Sequence, residues 1–175
     1  LTIYCGTQGP EEDLPQIERA LGLEKGQVRI THMYMGGGFG GKEDINAQIH
    51  VGIAAQAIGR PVKSRWSRTE SLMVSYKRHK ERMHYKMGAT KDGEIVAAEV
   101  SIIGDTGAYT SAGEAVIFRS NSFACGPYNV PHAKVDSFCV YTNNPPCGAF
   151  RGYGSPQVAF SSEVHMQKIC DELGL

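Results

Sequence analysis

The sequence has 175 residues, enough for one good-sized domain or two small ones. Its 18 Lys and Arg balance 18 Asp and Glu, which argues against a nucleic-acid footprint or a basic membrane-binding patch. With 41% hydrophobic and 21% charged residues, the composition is that of a globular protein rather than a disordered one.

Leu1 to Cys5 is short and β-prone, and Gly6 to Gly9 reads as a turn. Pro10 to Leu23 carries Glu11, Glu12 and Asp13 early and Ile17, Leu21 and Leu23 later, which predicts a helix closed by Gly22 or Gly26. Gln27 to Met33 alternates around Val28 and Ile30 as a strand does. After a glycine-rich segment, Ile45, Ile49, Ile53 and Ala57 recur every fourth residue, the stripe of a core-facing helix ending near Gly59. A strand is expected over Val62 to Trp66 and a short helix over Thr69 to Ser75. Glu81 to Ala89 and Glu94 to Ile103 flank Lys91-Asp92-Gly93, a hairpin signature. Gly104 to Gly113 reads as loop, Glu114 to Phe123 as helix, Lys134 to Tyr141 as strand, Asn143 to Gly154 as loop and Val158 to Leu173 as helix. Strands and helices do not alternate strictly, so the expected class is α+β, with mixed sheets and packed helices.

Glycine is concentrated in one place: five of the 21 glycines lie within Gly36-Gly37-Gly38-Phe39-Gly40-Gly41. A strand, a glycine loop and then a helix is an anion-binding arrangement, because backbone N–H groups can face a ligand. Gly36, Gly38 and Gly41 satisfy GxGxxG, yet the region about 20 residues on carries no acid to hold a ribose. Gly36 to Lys42 also approaches a Walker A loop, but Glu43 stands where a magnesium-binding hydroxyl is required. A non-catalytic nucleotide-binding module built on Gly36 to Lys42 is therefore the alternative rather than the leading reading. Two further segments carry chemistry: Phe118-Arg119, and Ala149-Phe150-Arg151-Gly152-Tyr153-Gly154-Ser155-Pro156-Gln157.

The five cysteines are widely and irregularly spaced, which suits half-buried thiols in a reducing, cytoplasmic setting better than a disulfide framework or a CxxC knuckle. The histidines form no HExxH pattern, and His79 and His84, among Lys77, Arg78, Lys80 and Arg82, read as a solvated strand edge; no protein-ligated metal is expected. No apolar run reaches the roughly 18–20 residues of a membrane span. The chain opens on Leu1 and stops at Leu175 after an amphipathic stretch, so a piece of a longer polypeptide is expected.

Together these segments resemble the molybdenum hydroxylases of the xanthine dehydrogenase and aldehyde oxidase family, in the first part of their molybdopterin-binding region. The resemblance runs from Thr7-Gln8 through Gly-Gly-Gly-Phe-Gly-Gly-Lys-Glu to Ala-Phe-Arg-Gly-Tyr-Gly-Ser-Pro-Gln, in matching order and spacing. It implies that residues 1–175 are an incomplete part of that domain, with the remainder downstream. Gln8 then matches a glutamine that hydrogen-bonds an oxygen ligand of molybdenum, and Gly38, Phe39 and Gly40 match backbone lying against metal and pterin. Arg151 matches an arginine of the cofactor-gripping loop, with Gln157 nearby in the same segment.

For substrate, the resemblance gives Glu43 the role of the acid that reaches a heterocycle, and Arg119 that of the arginine that polarises a carbonyl oxygen and offsets charge on the ring. Tyr153 stands where purine-hydroxylating members place a phenylalanine against the ring. The implied reaction is oxidation of an aromatic N-heterocycle such as a purine with oxygen from water; an aldehyde oxidoreductase of the same family is the alternative. The catalytic glutamate of the family is expected beyond Leu175, so Glu11, Glu12, Glu43 and Glu70 do not take its role. Molybdenum–molybdopterin is the implied cofactor, with 2Fe–2S clusters and FAD on other domains or subunits as partners, and neither nucleic acid nor membrane is expected.

Overall fold

Ile3 turns inward from β1 (Thr2–Cys5) and meets Ile17 of α1 (Pro10–Leu21) and Val28, which leads into β2 (Arg29–His32). The two strands pair in parallel, with Thr2 opposite Arg29 and Cys5 opposite His32. A parallel pair needs a crossover, and α1 supplies it. Pro10 starts this helix where a missing N–H costs nothing, and Glu11, Glu12 and Asp13 sit at its positive end. Gly22, with φ at 65°, closes it by donating to the Arg19 carbonyl. Each fully buried aliphatic side chain in this core contributes about 1.5–3 kcal/mol. Leu14, Leu21, Leu23, Ile30, Ile45 and Ile49 pack around it.

Next come α2 (Gln48–Ile58) and α3 (Arg68–Val74). The fourfold isoleucine stripe is only half used: Ile45 lies before α2, Ile49 reaches the core, and Ile53 is 52% exposed. The buried face of α2 instead holds Gln48 and Gly52, because Leu21 of α1 approaches Gly52 too closely for a side chain there. The strand expected over Val62 to Trp66 does not form. Its composition is β-prone, but the β1–β2 sheet has only two strands, and residues 61–67 find no ladder. A capping box does form at α3: the Glu70 N–H donates to Ser67 Oγ at 3.2 Å, and the Ser67 N–H donates to Glu70 Oε2 at 2.7 Å.

The computed structural model describes residues 1–175 as two units, Leu1–Tyr76 and Lys77–Leu175. The second holds β3 (Lys80–Ala89), β4 (Ile95–Gly107), α4 (Gly113–Ser122), β5 (His132–Tyr141) and α5 (Ser155–Leu173). The sheet order is β3-β4-β5, antiparallel at the Asp92-Gly93 hairpin and parallel between β4 and β5, where α4 lies in the crossover. Period-two alternation puts Met83, Tyr85, Val100, Ile102 and Val135 on one face, packed with Ala124 and Val158. The opposite face carries Arg82, His84, Lys86, Glu99, Lys134 and Asp136, with Lys134 Nζ 3.0 Å from Asp136. The chain is thus α+β, as its pattern predicts. No helix is long and apolar enough to cross a membrane.

Gly104 to Gly107, expected as loop, continues β4 instead. A Cβ at Gly104 would collide with Ile117 of α4, so the glycine there lets a helix rest on the strand rather than breaking it. Asp105 then ties the strand end, accepting from the Gly107 N–H at 2.8 Å and the Thr142 hydroxyl at 2.6 Å.

Gly104→Ala should therefore lower stability by about 1–3 kcal/mol through overpacking. Ile117→Ala alone should cost about 2–5 kcal/mol. Chemical denaturation of the double variant should show a loss smaller than the sum of the two, because the colliding atoms belong to Ile117.

Candidate functional site

In the N-terminal unit the glycine segment is a tight turn around one side chain. Gln8 Oε1 accepts from the Gly40 N–H at 2.9 Å and the Lys42 N–H at 3.2 Å. The Gln8 N–H in turn donates to the Lys42 carbonyl at 2.8 Å. Two N–H donors on one oxygen settle which end of the carboxamide is which, so the exposed Gln8 presents its Nε2 donors outward. Gly38 lies directly under this carboxamide, and any Cβ there would overlap Gln8. Phe39 takes φ of 53° and Gly40 of 87°, which bends the turn sharply and leaves the Phe39 ring 66% exposed.

Behind Gln8, the buried Thr7 fixes the turn that bears it. Thr7 Oγ1 donates to Asp13 Oδ2 at 2.6 Å and accepts from the Gly9 N–H at 3.2 Å, while His32 Nε2 lies 2.7 Å from the Thr7 carbonyl. Burial pushes the Asp13 carboxyl up, and the Thr7 hydroxyl partly offsets that. Glu43 follows the glycine turn, half-buried; burial, then the nearby Asp44 and Glu12 charges, push its carboxyl up as well. The structure thus brings Gln8, Gly38, Phe39, Gly40 and Glu43 into one loop cluster. The turn does not open a helix, contrary to the strand-loop-helix expectation: α2 begins only at Gln48, with Ala47 as an uncapped N-terminus. A helix dipole aimed at a phosphate is missing from the glycine turn itself.

In the C-terminal unit, a turn at Phe150–Gly154 leads into α5. The Tyr153 N–H donates to the Phe150 carbonyl at 2.7 Å and the Ser155 N–H to the Gly152 carbonyl at 3.0 Å. Tyr153 has φ of 48° and Gly154 of 93°. Gly154 presses on α4, where a Cβ would run into the Val116 carbonyl and the Ser120 hydroxyl. That contact brings the Tyr153 turn to the helix of Arg119. Arg119 is exposed, with its guanidinium 5.8 Å from the centroid of the Phe123 ring.

Arg78 holds the same turn from the other side. Its guanidinium stacks 4.5 Å from the Phe150 centroid, donates from Nη2 to the Arg151 carbonyl at 2.7 Å, and reaches Gln157 Oε1 at 3.4 Å. Gln157 Nε2 donates to the His79 carbonyl at 3.2 Å, so both ends of that carboxamide are engaged within the unit. Arg151 and Gln157 are brought together by this arginine, and Arg151 is exposed.

Arg78, His79 and Glu81 escape the sequence reading, which places the whole basic stretch at a solvated edge. Lys80, Arg82 and His84 are indeed exposed, but His79 is 2% exposed, with Thr106 Oγ1 3.5 Å from its Nε2. Burial pushes the His79 imidazole down, so it is held neutral, and pushes the Glu81 carboxyl up to about 7. The available signal was register: Glu81 shares the period-two face of Met83 and Tyr85, which turns it away from water.

A family model described as the molybdopterin cofactor-binding domain matches residues 1–175. The nicotinate dehydrogenase large molybdopterin subunit of Eubacterium barkeri is 46% identical over 175 residues, covering 100% of this chain and 41% of that protein. A probable xanthine dehydrogenase subunit of Bacillus subtilis (strain 168) is 38% identical over 174 residues, 99% of this chain and 23% of that one. Among solved structures, the aldehyde oxidoreductase from Desulfovibrio gigas superposes with a TM-score of 0.94 at 34% identity, covering 99% of this chain and 19% of that chain. The chain therefore spans less than half the length of these relatives.

Arg78→Lys keeps the charge but loses the planar fork and the stacking surface. It should cost about 1.5–3 kcal/mol, the value of a hydrogen bond to a charged group, read as a lower denaturation midpoint with unchanged slope.

Proposed function

We propose, from the premise that the chain belongs to the molybdopterin cofactor-binding domain family, that residues 1–175 form part of the molybdopterin-binding domain of a molybdenum hydroxylase that oxidises an aromatic N-heterocycle. The observation that carries this reading is the Gln8 carboxamide, whose oxygen is taken by two backbone amides and whose Nε2 donors are left to an outside acceptor. A molybdopterin presents acceptors of that kind: oxygens on the metal, phosphate oxygens and polar pterin edges. Gly38, Phe39 and Gly40 offer it backbone with little side chain in the way, and Arg151 offers an exposed cation. The donor set fits the group.

When bound, the cofactor supplies two-electron redox chemistry and brings its metal on its own sulfurs, so no protein ligand to the metal is required. The residues of this chain bind and orient. Gln8 would hold the group through the Nε2 donors that its backbone contacts leave over. Glu43, raised toward its protonated form, is suited to share a proton with a ring nitrogen. Arg119 offers a guanidinium to a substrate carbonyl or carboxylate oxygen and balances negative charge that builds on the ring. Tyr153 supplies an aromatic face for stacking and a hydroxyl that a phenylalanine would lack. A purine and a pyridine carboxylate fall in the same substrate class, and the nicotinate-named relative supports it.

Iron–sulfur and FAD domains or subunits are the partners this chemistry requires, together with the remainder of the molybdenum domain and its catalytic glutamate. Five free thiols suit a reducing, cytoplasmic setting.

Metal analysis of the complete, active enzyme should find molybdenum; its lack would overturn the reading. In that enzyme, Arg119→Met should reduce kcat/KM on an oxo-purine about 10²-fold or more, the scale of losing one charge-stabilising donor. Turnover of an aldehyde should fall far less, and equal losses on both substrates would sink the role given to Arg119. Titration calorimetry of residues 1–175 with NAD and ATP should show no specific binding by this segment, the outcome that separates this reading from a nucleotide-binding module.

A further inference from the structure

We infer that Glu81 is a positioning residue, acting through Ser120 to set the Phe150–Gly154 turn that carries Arg151 and Tyr153. Glu81 points to the packed face of the sheet, beside Gly104 and beneath α4. Its Oε1 accepts from the Ser120 hydroxyl at 2.9 Å, while its Oε2 is buried without a hydrogen-bond partner. Ser120 is itself fully buried at 0% exposure. Its Oγ also lies 3.2 Å from the Val116 carbonyl and 3.3 Å from the Gly154 carbonyl.

A hydroxyl has one proton, so three acceptors compete for it. When Glu81 is ionised, the carboxylate takes that proton, and the Gly154 carbonyl loses it. When Glu81 carries a proton, the acid O–H donates to Ser120 Oγ, and the serine O–H turns to donate to the Val116 and Gly154 carbonyls, at 3.2 and 3.3 Å. One proton taken from solvent forms the Glu81 O–H bond, and two hydrogen bonds change direction in response. The protonated state therefore ties the turn to α4, and the ionised state releases it.

The surroundings favour protonation. Burial is the largest influence and pushes the Glu81 carboxyl up to about 7; the Ser120 hydroxyl and the Arg78 guanidinium pull it down. Along its own face the neighbouring titratable groups are the His79 imidazole, pushed down by burial, and the Tyr85 phenol, pushed up to about 12 by burial, so both are neutral. From α4 the facing group is Ser120, and from β4 it is Gly104, which carries no charge. The folded carboxyl is raised above its unfolded value, so its contribution to stability is full below the unfolded value. That contribution is lost as pH rises through about 7.

The functional consequence rests on the site reading above, but the tie lies within the chain and is measured without cofactor or substrate. E81Q in the complete protein replaces the acid O–H by an amide donor that never ionises. Hydrogen exchange of the 150–154 backbone, corrected for intrinsic rates, should match between wild type and E81Q near pH 6. Near pH 8 it should be several-fold faster in the wild type, and the wild-type thermal midpoint should fall between the two pH values while that of E81Q stays level. S120A in the wild-type background should abolish the pH dependence of exchange in the turn, a second arm that holds if E81Q does not fold. A wild-type-to-E81Q ratio constant with pH, or pH dependence that survives S120A, would overturn the proposal. A protein that carries no molybdenum yet shows the predicted exchange would overturn the functional reading alone.

Discussion

A single carboxamide oxygen, Oε1 of Gln8, accepts the backbone N–H groups of Gly40 and Lys42 and so determines where the glycine turn lies. Such a turn has few side chains of its own to pack, and the Gln8 oxygen adds to its internal acceptors, the Gly38 and Gly40 carbonyls that take the Gly41 and Glu43 N–H groups. Everything behind Gln8 serves to hold that oxygen still. The buried Thr7 hydroxyl is clamped between Asp13 and the Gly9 amide, α1 begins at Pro10, and the parallel pairing of β1 with β2 brings Cys5 beside His32. The order of dependence runs from core to turn: Ile3, Ile17 and Val28 position the strand and helix, which position Thr7 and Gln8, which position the glycines. The C-terminal unit repeats this logic with a different side chain. There the Arg78 guanidinium holds the Arg151 carbonyl and the Gln157 carboxamide while stacking on Phe150.

Both units place acids where water is scarce. Asp13, Glu43 and Glu81 are all pushed up, with burial as the largest cause in each case. A chain whose formal charges cancel can thus still present strongly uneven local environments, because desolvation acts on each group separately from the net balance. The Thr7 hydroxyl lies much nearer Asp13, at 2.6 Å, than its other acceptor, the Lys42 carbonyl at 3.4 Å, whereas the Ser120 proton that Glu81 accepts at 2.9 Å is contested by two carbonyls at 3.2 and 3.3 Å.

The elements that the sequence makes legible are those whose rule is local. The acids of Glu11–Asp13 and the Gly22 cap mark α1, Asp92-Gly93 marks the hairpin, and the alternation from Lys134 marks β5. The failures share a cause, which is that tertiary contact decides them. Val62 to Trp66 has strand composition but no edge to join. Gly104 to Gly107 has loop composition, yet Ile117 needs the space above it. The segments of Gln8, Phe39, Gly40 and Arg151 stand out in the sequence because glycine, glutamine and arginine in fixed order mark the family. Arg78 and Glu81 carry no such motif; their roles appear only once β3 sets their neighbours on α4 and the Phe150–Gly154 turn.

Phe39 and Tyr153 both occupy left-handed backbone, with φ of 53° and 48°, in a region where bulky side chains are uncommon. Conformations of this kind cost on the order of 1–3 kcal/mol each and persist only when the surroundings overdetermine them. That cost falls on folding. A ligand arriving at either turn meets backbone that is already bent, and little conformational entropy remains to be surrendered in the encounter. At both turns the bend is thus set during folding and lies in the backbone itself.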